Sequence, residues 1–360
     1  MSATTVSMLG TPPAASLPRL GVHDLLAVVE AAGLTGRGGA GFPTATKVRS
    51  VAGARDAVVV ANAMEGEPLS HKDALLLARA PHLVVEGLVL VGGALGATRR
   101  VVAVGVHVDA GPLRPVAAHH GVEVQVVDGG FVAGQETALV RGLSGLPAVP
   151  RDPSVRVTSR GVDGRPTLVL NAETLASVAL AVRLGPQSAT SRLFSVSGDV
   201  ALPGVVEAPR HALLSDVVDR ARPGPVRAVL VGGYHGTWLP AARLPTPLAD
   251  LTLGAGVVHV LGPGTCPLEA TARITHYLAG QSARQCGPCV NALPRVADTV
   301  ARLAAGPPDP RLPAEVARLS ALAAGRGACA HPDGTVRMVA SALHTFADEV
   351  SAHLAGRCLP

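Results

Sequence analysis

Three cysteines late in the chain have the spacing of a metal centre. Cys286 and Cys289 flank a Gly-Pro pair, which bends the backbone so that two thiolates converge on one centre. Cys329 supplies a third sulfur after two predicted helices. With His331 close behind it, a zinc ion held by three thiolates and an imidazole is one interpretation. An iron–sulfur cluster is another, and a redox dithiol is a third, although no thioredoxin-like βαβ unit surrounds the pair.

A glycine-rich segment near the start of the chain is a candidate phosphate-binding loop. GRGGAGF, from Gly36 to Phe42, contains G-x-G-x-x-G, which lets backbone N–H groups approach a phosphate because no Cβ stands in the way. A Rossmann fingerprint follows a strand, whereas the preceding HDLLAVVEAAGL has the pattern of a helix. The sequence therefore excludes an ordinary Rossmann site, and a glycine-rich turn ending a helix is the alternative to a phosphate loop.

Polar residues follow apolar strand-like or glycine-rich segments at three further places. These are NAMEGEP at 62–68, GGFVAGQET at 129–137 and PTLVLNAET at 166–174. Ligands of α/β sheets bind at the carboxyl ends of strands, where amides and carboxylates can hydrogen-bond a flavin ring or a ribose. A solvated acidic turn is the alternative for the first segment, and helix caps at Thr137 or Asn171 are the alternative for the other two.

The hydrophobic pattern predicts three domains that position these residues. Residues 1–184 form an α/β domain, with the first 18 residues flexible, residues 185–255 form a small β-rich module, and residues 256–360 form a helical bundle. The strands predicted in the first domain are Ala57–Asn62, Arg100–Val106 and Val122–Val127. The helices predicted in the last domain are Pro267–Gly280, Pro294–Ala305, Pro313–Ala324 and Val336–Leu354.

Length and composition agree with this division and limit the class of protein. A chain of 360 residues that is 48% hydrophobic and 16% charged is too long for one core. The formal charge is +5, but the arginines are scattered singly, so nucleic acid is not an expected partner. The first residues lack the basic start and apolar run of a signal peptide, and no apolar window is long enough to span a membrane. We therefore expect a cytoplasmic protein.

Taken together and in this order, the four segments resemble the NADH-binding flavoprotein (51-kDa, or F-type) subunit of respiratory complex I. The family patterns GRGGAGFPTGxKW, NADExEPG, GAGAYxCGEETAL and PTxVNNVETL correspond here to GRGGAGFPTATKV, NAMEGEPLSHKD, GGFVAGQETAL and PTLVLNAETL. The resemblance implies an α/β FMN-binding domain, a ubiquitin-like β-grasp (SLBB) module and a C-terminal helical iron–sulfur domain. It also implies that the FMN phosphate lies on the glycine loop and that Lys47 stabilises negative charge on the reduced flavin or its phosphate.

The resemblance implies cofactor or nucleotide contacts at positions in all four segments. These are Gly36, Arg37, Gly38, Gly39, Phe42, Lys47, Asn62, Glu65, Glu67, Phe131, Gly134, Glu136, Asn171 and Thr174.

In the family, one 4Fe-4S cluster is held by a C-x-x-C-x-x-C segment and a distant cysteine. The resemblance therefore favours a cluster at Cys286, Cys289 and Cys329, although Ala283 stands where the first cysteine is expected. Three thiolates hold a 3Fe-4S cluster, or a 4Fe-4S cluster whose fourth iron has another ligand. We expect His331 to be that ligand ahead of Cys266 and Cys358, because each of these lies beyond a predicted helix about 20 Å long.

The family also implies a function, electron transfer from NADH or a similar soluble donor through FMN to an iron–sulfur cluster, with other redox subunits or a ferredoxin as partners. NAD(H) use is less certain than FMN, because only Phe42 of three expected aromatic positions is kept, and Ser50 and Arg156 occupy the others. One alternative is an FMN and iron–sulfur module that does not use NADH. Another is a structural protein without cofactors. No catalytic side chain is expected, since hydride transfer to a flavin needs none.

Overall fold

The computed structural model describes residues 7–152 and 154–359. Its strands are β1 (Val58–Ala63), β2 (Arg99–Gly105), β3 (Glu123–Val127), β4 (Thr167–Asn171), β5 (Ser191–Gly198), β6 (Gly204–Pro209), β7 (Ala228–Val231), β8 (Thr237–Pro240) and β9 (Val257–Leu261). Its helices are α1 (Val22–Ala31), α2 (Thr44–Arg49), α3 (Lys72–Arg79), α4 (Pro81–Ala94), α5 (Leu113–His119), α6 (Glu136–Leu143), α7 (Ala172–Leu184), α8 (Leu214–Asp219), α9 (Pro267–Gly280), α10 (Leu293–Ala305), α11 (Leu312–Ala323), α12 (His331–Thr345) and α13 (Ala347–Leu354). The chain divides into two compact units, one with residues up to 66, 70–194 and 205–212, the other with residues 67–69, 195–204 and from 213 onward.

The first unit contains a four-stranded parallel sheet in the order β3-β2-β1-β4. Its strands are short runs of valine, alanine and leucine, as expected for strands buried on both faces. The predicted α/β domain is confirmed, and the three predicted strands are found with boundaries shifted by no more than one residue.

The chain reverses its direction of travel across this sheet between β1 and β4. From β1 it moves outward to β2 and β3, and it then returns to place β4 on the other side of β1. Asn62 and Asn171 are register partners at the carboxyl ends of β1 and β4. In open α/β sheets, ligands bind outside the carboxyl ends of strands at such a topological switch point.

Helices cover both faces of the sheet. On one face, Val59 and Leu170 share a core with Leu83 of α4 and Leu175 of α7. On the other face, Val58, Val60 and Val101 pack with Leu139 and Leu143 of α6. The backbones of α4 and α7 come close because a Cβ at Gly87 would lie 2.0 Å from the carbonyl oxygen of Leu175. Alanine at position 87 would therefore force the two helices apart.

Residues 7–18, part of the segment expected to be flexible, pack against the first unit. Met8 is 1% exposed, and its N–H donates to Glu207 Oε1 at 2.8 Å. The N–H of Ala14 donates to Glu86 Oε1 at 2.8 Å. Glu86 in turn pairs with Arg183 at 2.7 Å. Residues 1–6 lie outside the described residues.

The second unit contains most of a five-stranded sheet in the order β6-β5-β9-β7-β8. Strand β9 is the central strand, parallel to β5 and antiparallel to β7. The expected domain boundary between residues 255 and 256 thus separates this central strand from the rest of its sheet, and the sequence pattern missed it because VVHVL directly follows a glycine-rich turn.

The remaining helices of the second unit follow β9. Helices α9, α10 and α11 agree with the predicted segments to within one residue at each end. The predicted helix Val336–Leu354 is instead two helices, because the chain leaves helical geometry at Phe346 (φ −111°, ψ 35°). The Phe346 ring packs edge-on against Trp238 at 5.4 Å, and Thr345 donates to the Trp238 carbonyl. This tertiary contact fixes the break, and the sequence shows no glycine or proline there.

Among residues 7–152 and 154–359, no single helix is long and apolar enough to cross a membrane. By length and composition, α3 and α4 pass such a test only as a pair, and they are bent by 93° at their junction.

Candidate functional site

Two asparagines stand side by side at the switch point of the first sheet. Asn62 Nδ2 donates to the Gly134 carbonyl at 2.8 Å, and Asn62 Oδ1 accepts the N–H of Met64 at 3.2 Å. Asn171 caps α7, since its Oδ1 accepts the N–H of Glu173 at 3.0 Å. These bonds fix both amides in place, so each can support a ligand without rearrangement.

The glycine loop joins this edge through Asn171 and Thr174. The loop is closed at its base, where the N–H of Gly36 donates to the Phe42 carbonyl at 2.8 Å. The N–H of Arg37 donates to the buried Thr174 hydroxyl at 2.9 Å. A Cβ at Gly38 would lie 3.3 Å from Asn171 Cβ. The Gly38 backbone therefore meets the switch point with no room for a side chain between them.

The loop also fits an anionic ligand in its conformation and its polar atoms. Gly39 has φ +126°, a conformation that favours glycine because other residues carry a Cβ. Thr44 Oγ1, at the start of α2, and Arg37 Nε are buried without a hydrogen-bond partner among the described residues. Buried polar groups of proteins are nearly always satisfied, so a polar ligand is the expected partner.

Lys47 and Glu136 meet on this edge of the sheet, and both side chains are half-buried. Lys47 Nζ lies 2.8 Å from Glu136 Oε2, and it also donates to the Val169 carbonyl at 3.3 Å. Glu136 is the first residue of α6, whose N-cap Gln135 accepts the N–H groups of Thr137 and Ala138. The pairing holds one lysine charge next to the strand ends.

Glu65 occupies the segment expected, but its carboxylate caps a helix. Its oxygens accept the N–H groups of Asp73 and Ala74 at 2.8 and 2.7 Å and the Ser70 hydroxyl at 2.7 Å. Next to it, a Cβ at Gly66 would lie 2.9 Å from the Phe131 carbonyl oxygen. The segment thus offers a ligand its backbone more than its Glu65 carboxylate.

A buried group of charges behind Asn171 has no counterpart among the residues predicted from the sequence. Lys72 Nζ lies 2.7 Å from Asp73 Oδ1 and 3.0 Å from Glu173 Oε2, and all three side chains are at most 5% exposed. Asp73 Oδ2 accepts from Asn171 Nδ2 at 2.7 Å, so the group orients the amide at the switch point. The signal was present, because Lys72 and Asp73 are charges at the start of an otherwise apolar helix segment.

Burial and charge set the ionisation of this group. Burial raises the pKa of Asp73 to about 6, although the Lys72 charge opposes it. Burial also acts to raise the pKa of Glu173, but the charges of Lys72, Arg37 and Arg192 outweigh it, so the pKa lies below its ordinary value.

Glu67 belongs to the second unit, where it lies beside two tyrosines. Its Oε2 accepts the N–H of Tyr234 at 2.9 Å. Burial raises the pKa of Glu67 to about 7, although backbone hydrogen bonds from Tyr234 and Leu69 oppose the shift. The Tyr234 ring packs edge-on against Tyr277 at 5.4 Å.

Replacing Glu67 with glutamine should remove a pH-dependent loss of stability. Glu67 ionises near its ordinary 4.5 in the unfolded chain and near 7 in the folded one. The stability it permits is therefore complete below pH 4.5 and is lost as the pH rises to 7, by on the order of 3 kcal/mol. Glu67→Gln should thus stabilise the chain at pH 8 and change it little at pH 5, as measured by urea unfolding followed through Trp238 fluorescence.

The matched control for this prediction is Glu269→Gln, which changes an exposed carboxylate on α9. Equal effects of the two substitutions at pH 8 would show that Glu67 ionises normally in the folded chain.

The three thiols of the C-x-x-C step and Cys329 come together in the second unit. Cys289 lies in a π-helical turn, Pro288–Ala292, a feature common at functional sites, and packs in an apolar cluster with Leu293 and Val336. Burial, and then the neighbouring Cys286 and Cys329, raises the pKa of Cys289 to about 12. Iron would replace the thiol protons, so this donor set in an apolar surround fits a cluster bound by thiolates.

His331 does not supply the missing fourth ligand, contrary to expectation. Its Nε2 lies 2.9 Å from the Leu278 carbonyl oxygen, and its Nδ1 lies 3.1 Å from Nε2 of His235. Both ring nitrogens are thus committed to hydrogen bonds, and His331 instead joins the start of α12 to α9. Burial, followed by the charges of His331 and Arg337, lowers the pKa of His235 to about 3, so His235 is neutral at physiological pH.

The aromatic positions expected to hold a nucleotide base differ in what they expose. Phe42 is 46% exposed at the loop, so its ring is accessible. Ser50 follows α2, and Arg156 lies in an irregular segment, and both are exposed. Neither of these two positions supplies an aromatic face.

Two family models match the chain. The Nuo51 FMN-binding domain matches residues 29–180, and the NADH-ubiquinone oxidoreductase-F iron–sulfur binding region matches residues 269–353. These ranges contain the switch-point site and the three thiols, respectively.

Proteins similar to this chain are named as redox subunits. The NADH-quinone oxidoreductase F subunit of Rhizobium meliloti that is numbered 2 is 30% identical over 379 residues, which covers 94% of this chain and 90% of that protein. The F subunit of Aquifex aeolicus is 30% identical over 302 residues, covering 74% and 71%. A solved chain of an NAD⁺-reducing [NiFe]-hydrogenase, in the H₂-reduced state, superposes with a TM-score of 0.89 at 32% identity and covers 98% of this chain and 67% of that one.

These matches confirm the resemblance inferred from the motifs. The chain belongs to the family of NADH-quinone oxidoreductase F subunits and contains the FMN-binding domain and the 4Fe-4S binding region of that family.

Proposed function

We propose that this chain is an electron-transfer flavoprotein subunit in which FMN takes electrons from NADH or a similar soluble donor and an iron–sulfur cluster receives them. The observation that carries the proposal is the junction of the glycine loop with Asn171 and Thr174 at a topological switch point. The family matches over residues 29–180 and 269–353 support the two cofactors.

The residues of the switch point bind and orient rather than react. FMN, when bound, supplies the change from two-electron to one-electron transfer, and the protein contributes placement and electrostatics. The loop backbone faces the phosphate, Lys47 adds a positive charge, and Asn62 and Asn171 hold the edge rigid through the bonds described above. The other family positions, including Phe131 and Gly134, shape the same edge of the sheet.

The second unit is proposed to contain two functional parts. The five-stranded sheet with the short helix α8 fits an SLBB β-grasp module, and helices α9–α13 fit a bundle that carries the cluster on Cys286, Cys289 and Cys329. Because thiolate-bound clusters need reduced cysteines, we place the protein in the cytoplasm. The similar proteins are named as subunits of an NADH-quinone oxidoreductase and of an NAD⁺-reducing hydrogenase, which supports other redox subunits as partners.

NADH should reduce the bound flavin, and Ser50→Phe should strengthen NADH binding. Ser50 stands where the family has a stacking aromatic, and one stacked base is worth about 1–3 kcal/mol, which is about fivefold to more than a hundredfold in affinity. Anaerobic stopped-flow bleaching of the flavin, titrated with NADH, measures this affinity. Ala52→Phe, an exposed change in the turn that follows, is the matched control and should have no effect.

Two results would change this proposal. No bleaching by NADH in either the wild type or the Ser50→Phe variant, together with bleaching by a reduced ferredoxin, would favour the module that does not use NADH. Tight binding in the wild type with no gain from Ser50→Phe would show that another group, such as the exposed Arg156, already holds the adenine.

A further inference from the structure

Four side chains outside the proposed cofactor sites converge on one point of the second unit. Glu349 and His353 lie one turn apart on α13, Cys266 immediately precedes α9, and Cys358 follows α13. One ligand atom from each lies within 4.8 Å of all the others. These residues are separated by up to 92 positions in sequence, 358 minus 266, so the fold alone brings them together.

The separations are close to those of a tetrahedral metal site. Cys266 Sγ lies 3.5 Å from His353 Nε2 and 4.0 Å from Glu349 Oε1. Glu349 Oε1 lies 3.0 Å from His353 Nε2 and 3.2 Å from Cys358 Sγ. With zinc bonds of about 2.0–2.3 Å, tetrahedral ligand atoms are about 3.3–3.8 Å apart. Small side-chain adjustments would therefore centre all four on one ion.

The backbone after α13 is built to return Cys358 to this point. Gly356 has φ +70°, the left-handed conformation that ends many helices. Its N–H donates to the His353 carbonyl at 3.0 Å, and the next N–H, of Arg357, donates to the Ala352 carbonyl at 2.9 Å. This pair of bonds is a Schellman motif, which reverses the chain, and the N–H of Leu359 then donates to Glu349 Oε1 at 3.1 Å.

Glu349 Oε1 has more donors than it can satisfy. Both thiols, the imidazole and the N–H of Leu359 are directed at this one oxygen, which has two lone pairs. The other oxygen, Oε2, already pairs with Arg227 at 2.6 Å. A divalent cation in place of the two thiol protons would relieve this excess of donors.

The charges also balance around a divalent cation. Two thiolates and the Glu349 carboxylate carry three negative charges, and a dication with the Arg227 guanidinium carries three positive charges. Glu349 is 1% exposed and His353 is 10% exposed, so little water would compete for the ion. Without a cation, the hydrogen bond to Glu349, and then burial, raises the pKa of Cys358 to about 12, and the thiol keeps its proton.

We infer that Cys266, Glu349, His353 and Cys358 form a mononuclear zinc site, separate from the iron–sulfur centre. Two thiolates, one imidazole and one carboxylate in tetrahedral array are ligands of Zn²⁺, and four protein ligands make a closed, structural site. The ion fastens the end of α13 to the start of α9. The 14 residues of α9, about 20 Å at the helical rise, lie between Cys266 and the segment that carries Cys286.

The test is the metal content of the full chain purified anaerobically after growth with zinc and iron. Inductively coupled plasma mass spectrometry should find about one zinc per chain. Cys266→Ser, His353→Ala and Cys358→Ser should each lose most of the zinc and keep the iron. His276→Ala changes an exposed histidine on α9, and this control should keep both metals. Replacing the zinc with Co²⁺ should give the absorption bands of tetrahedral thiolate-bound cobalt, a readout that needs no variant.

Three outcomes would overturn the inference. The first is wild-type protein with less than about a tenth of a zinc per chain and no cobalt spectrum. The second is a Cys266–Cys358 disulfide in protein kept under reducing conditions, shown by thiol counting and mass spectrometry. The third is loss of iron rather than zinc from Cys266→Ser or Cys358→Ser, since that result would make these cysteines ligands of the cluster. Cys358 is exposed, so its serine variant should fold even if Cys266→Ser does not.

Discussion

Gly38→Val should abolish flavin binding while the sheet of the first unit stays folded. A Cβ at position 38 would already lie 3.3 Å from Asn171 Cβ, and the two methyl groups of valine would fill the remaining space between the loop and the switch point. A phosphate could then no longer approach the loop backbone. The purified wild type should carry about one FMN per chain after anaerobic reconstitution, and the variant less than about a tenth of that. Mass spectrometry and absorbance of the released flavin measure both.

Gly93→Val is the matched control for this experiment. Gly93 is exposed on α4, and a Cβ there would meet no atom within 4 Å, so the same chemical change is made away from the site. Full flavin content in both variants would show that the phosphate does not lie on the glycine loop. Release of FAD instead of FMN from the wild type would contradict the assignment of the cofactor itself.

The sequence predicted the order of the site segments better than their contacts. Alternation of apolar runs with helical patterns predicted β1, β2 and β3, and matching motifs predicted that Arg37 and Thr174 belong to one site. The bond between them joins residues 137 positions apart, and only the parallel pairing of β1 with β4 creates it. Strand order cannot be read from a hydrophobic pattern, because a buried strand looks the same at the centre and at the edge of a sheet.

Contacts made by tertiary structure account for what was missed. Glu65 was expected to contact the cofactor, but its carboxylate satisfies the free N–H groups at the start of α3, a role that no motif indicates. His331 was expected to ligate iron, but the adjacent His235 and the Leu278 carbonyl hold its ring. In both cases a local pattern was correct about position and silent about the partner that the fold would bring.

The group formed by Cys266, Glu349, His353 and Cys358 shows the same limit from the other side. Neither cysteine has a metal-ligand spacing, so the sequence predicted only two leftover thiols. The break at Phe346 and the reversal at Gly356 bring them together. The length argument that placed both far from the cluster agrees with their position at the opposite end of α9 from the segment that carries Cys286.

Ala283→Cys should convert a labile cluster into a stable one, the second large effect that we expect. Position 283 has the spacing of the first cysteine in the family segment, and the wild type offers Cys286, Cys289 and Cys329 alone. An iron without a thiolate exchanges its ligand with water, so a chelator should reach it first. Changes outside the ligand shell already cost about 10–100-fold in metal affinity, so restoring a ligand should slow bleaching by a ferrous chelator at least about tenfold.

Ser282→Cys, which places the new thiol one residue earlier, is the matched control for the restored ligand, and it should bleach like the wild type. Electron paramagnetic resonance and Mössbauer spectra of the anaerobic protein should show a three-iron cluster, or a four-iron cluster with one distinct iron, in the wild type and in Ser282→Cys. Four equivalent thiolate-bound irons should appear only in Ala283→Cys. Equal bleaching rates in all three proteins would mean that the fourth iron already has a protein ligand, and loss of iron from Cys358→Ser would then identify it. If the wild type holds zinc and no iron at these three thiols, electron transfer through this region fails as a function, whatever the flavin does.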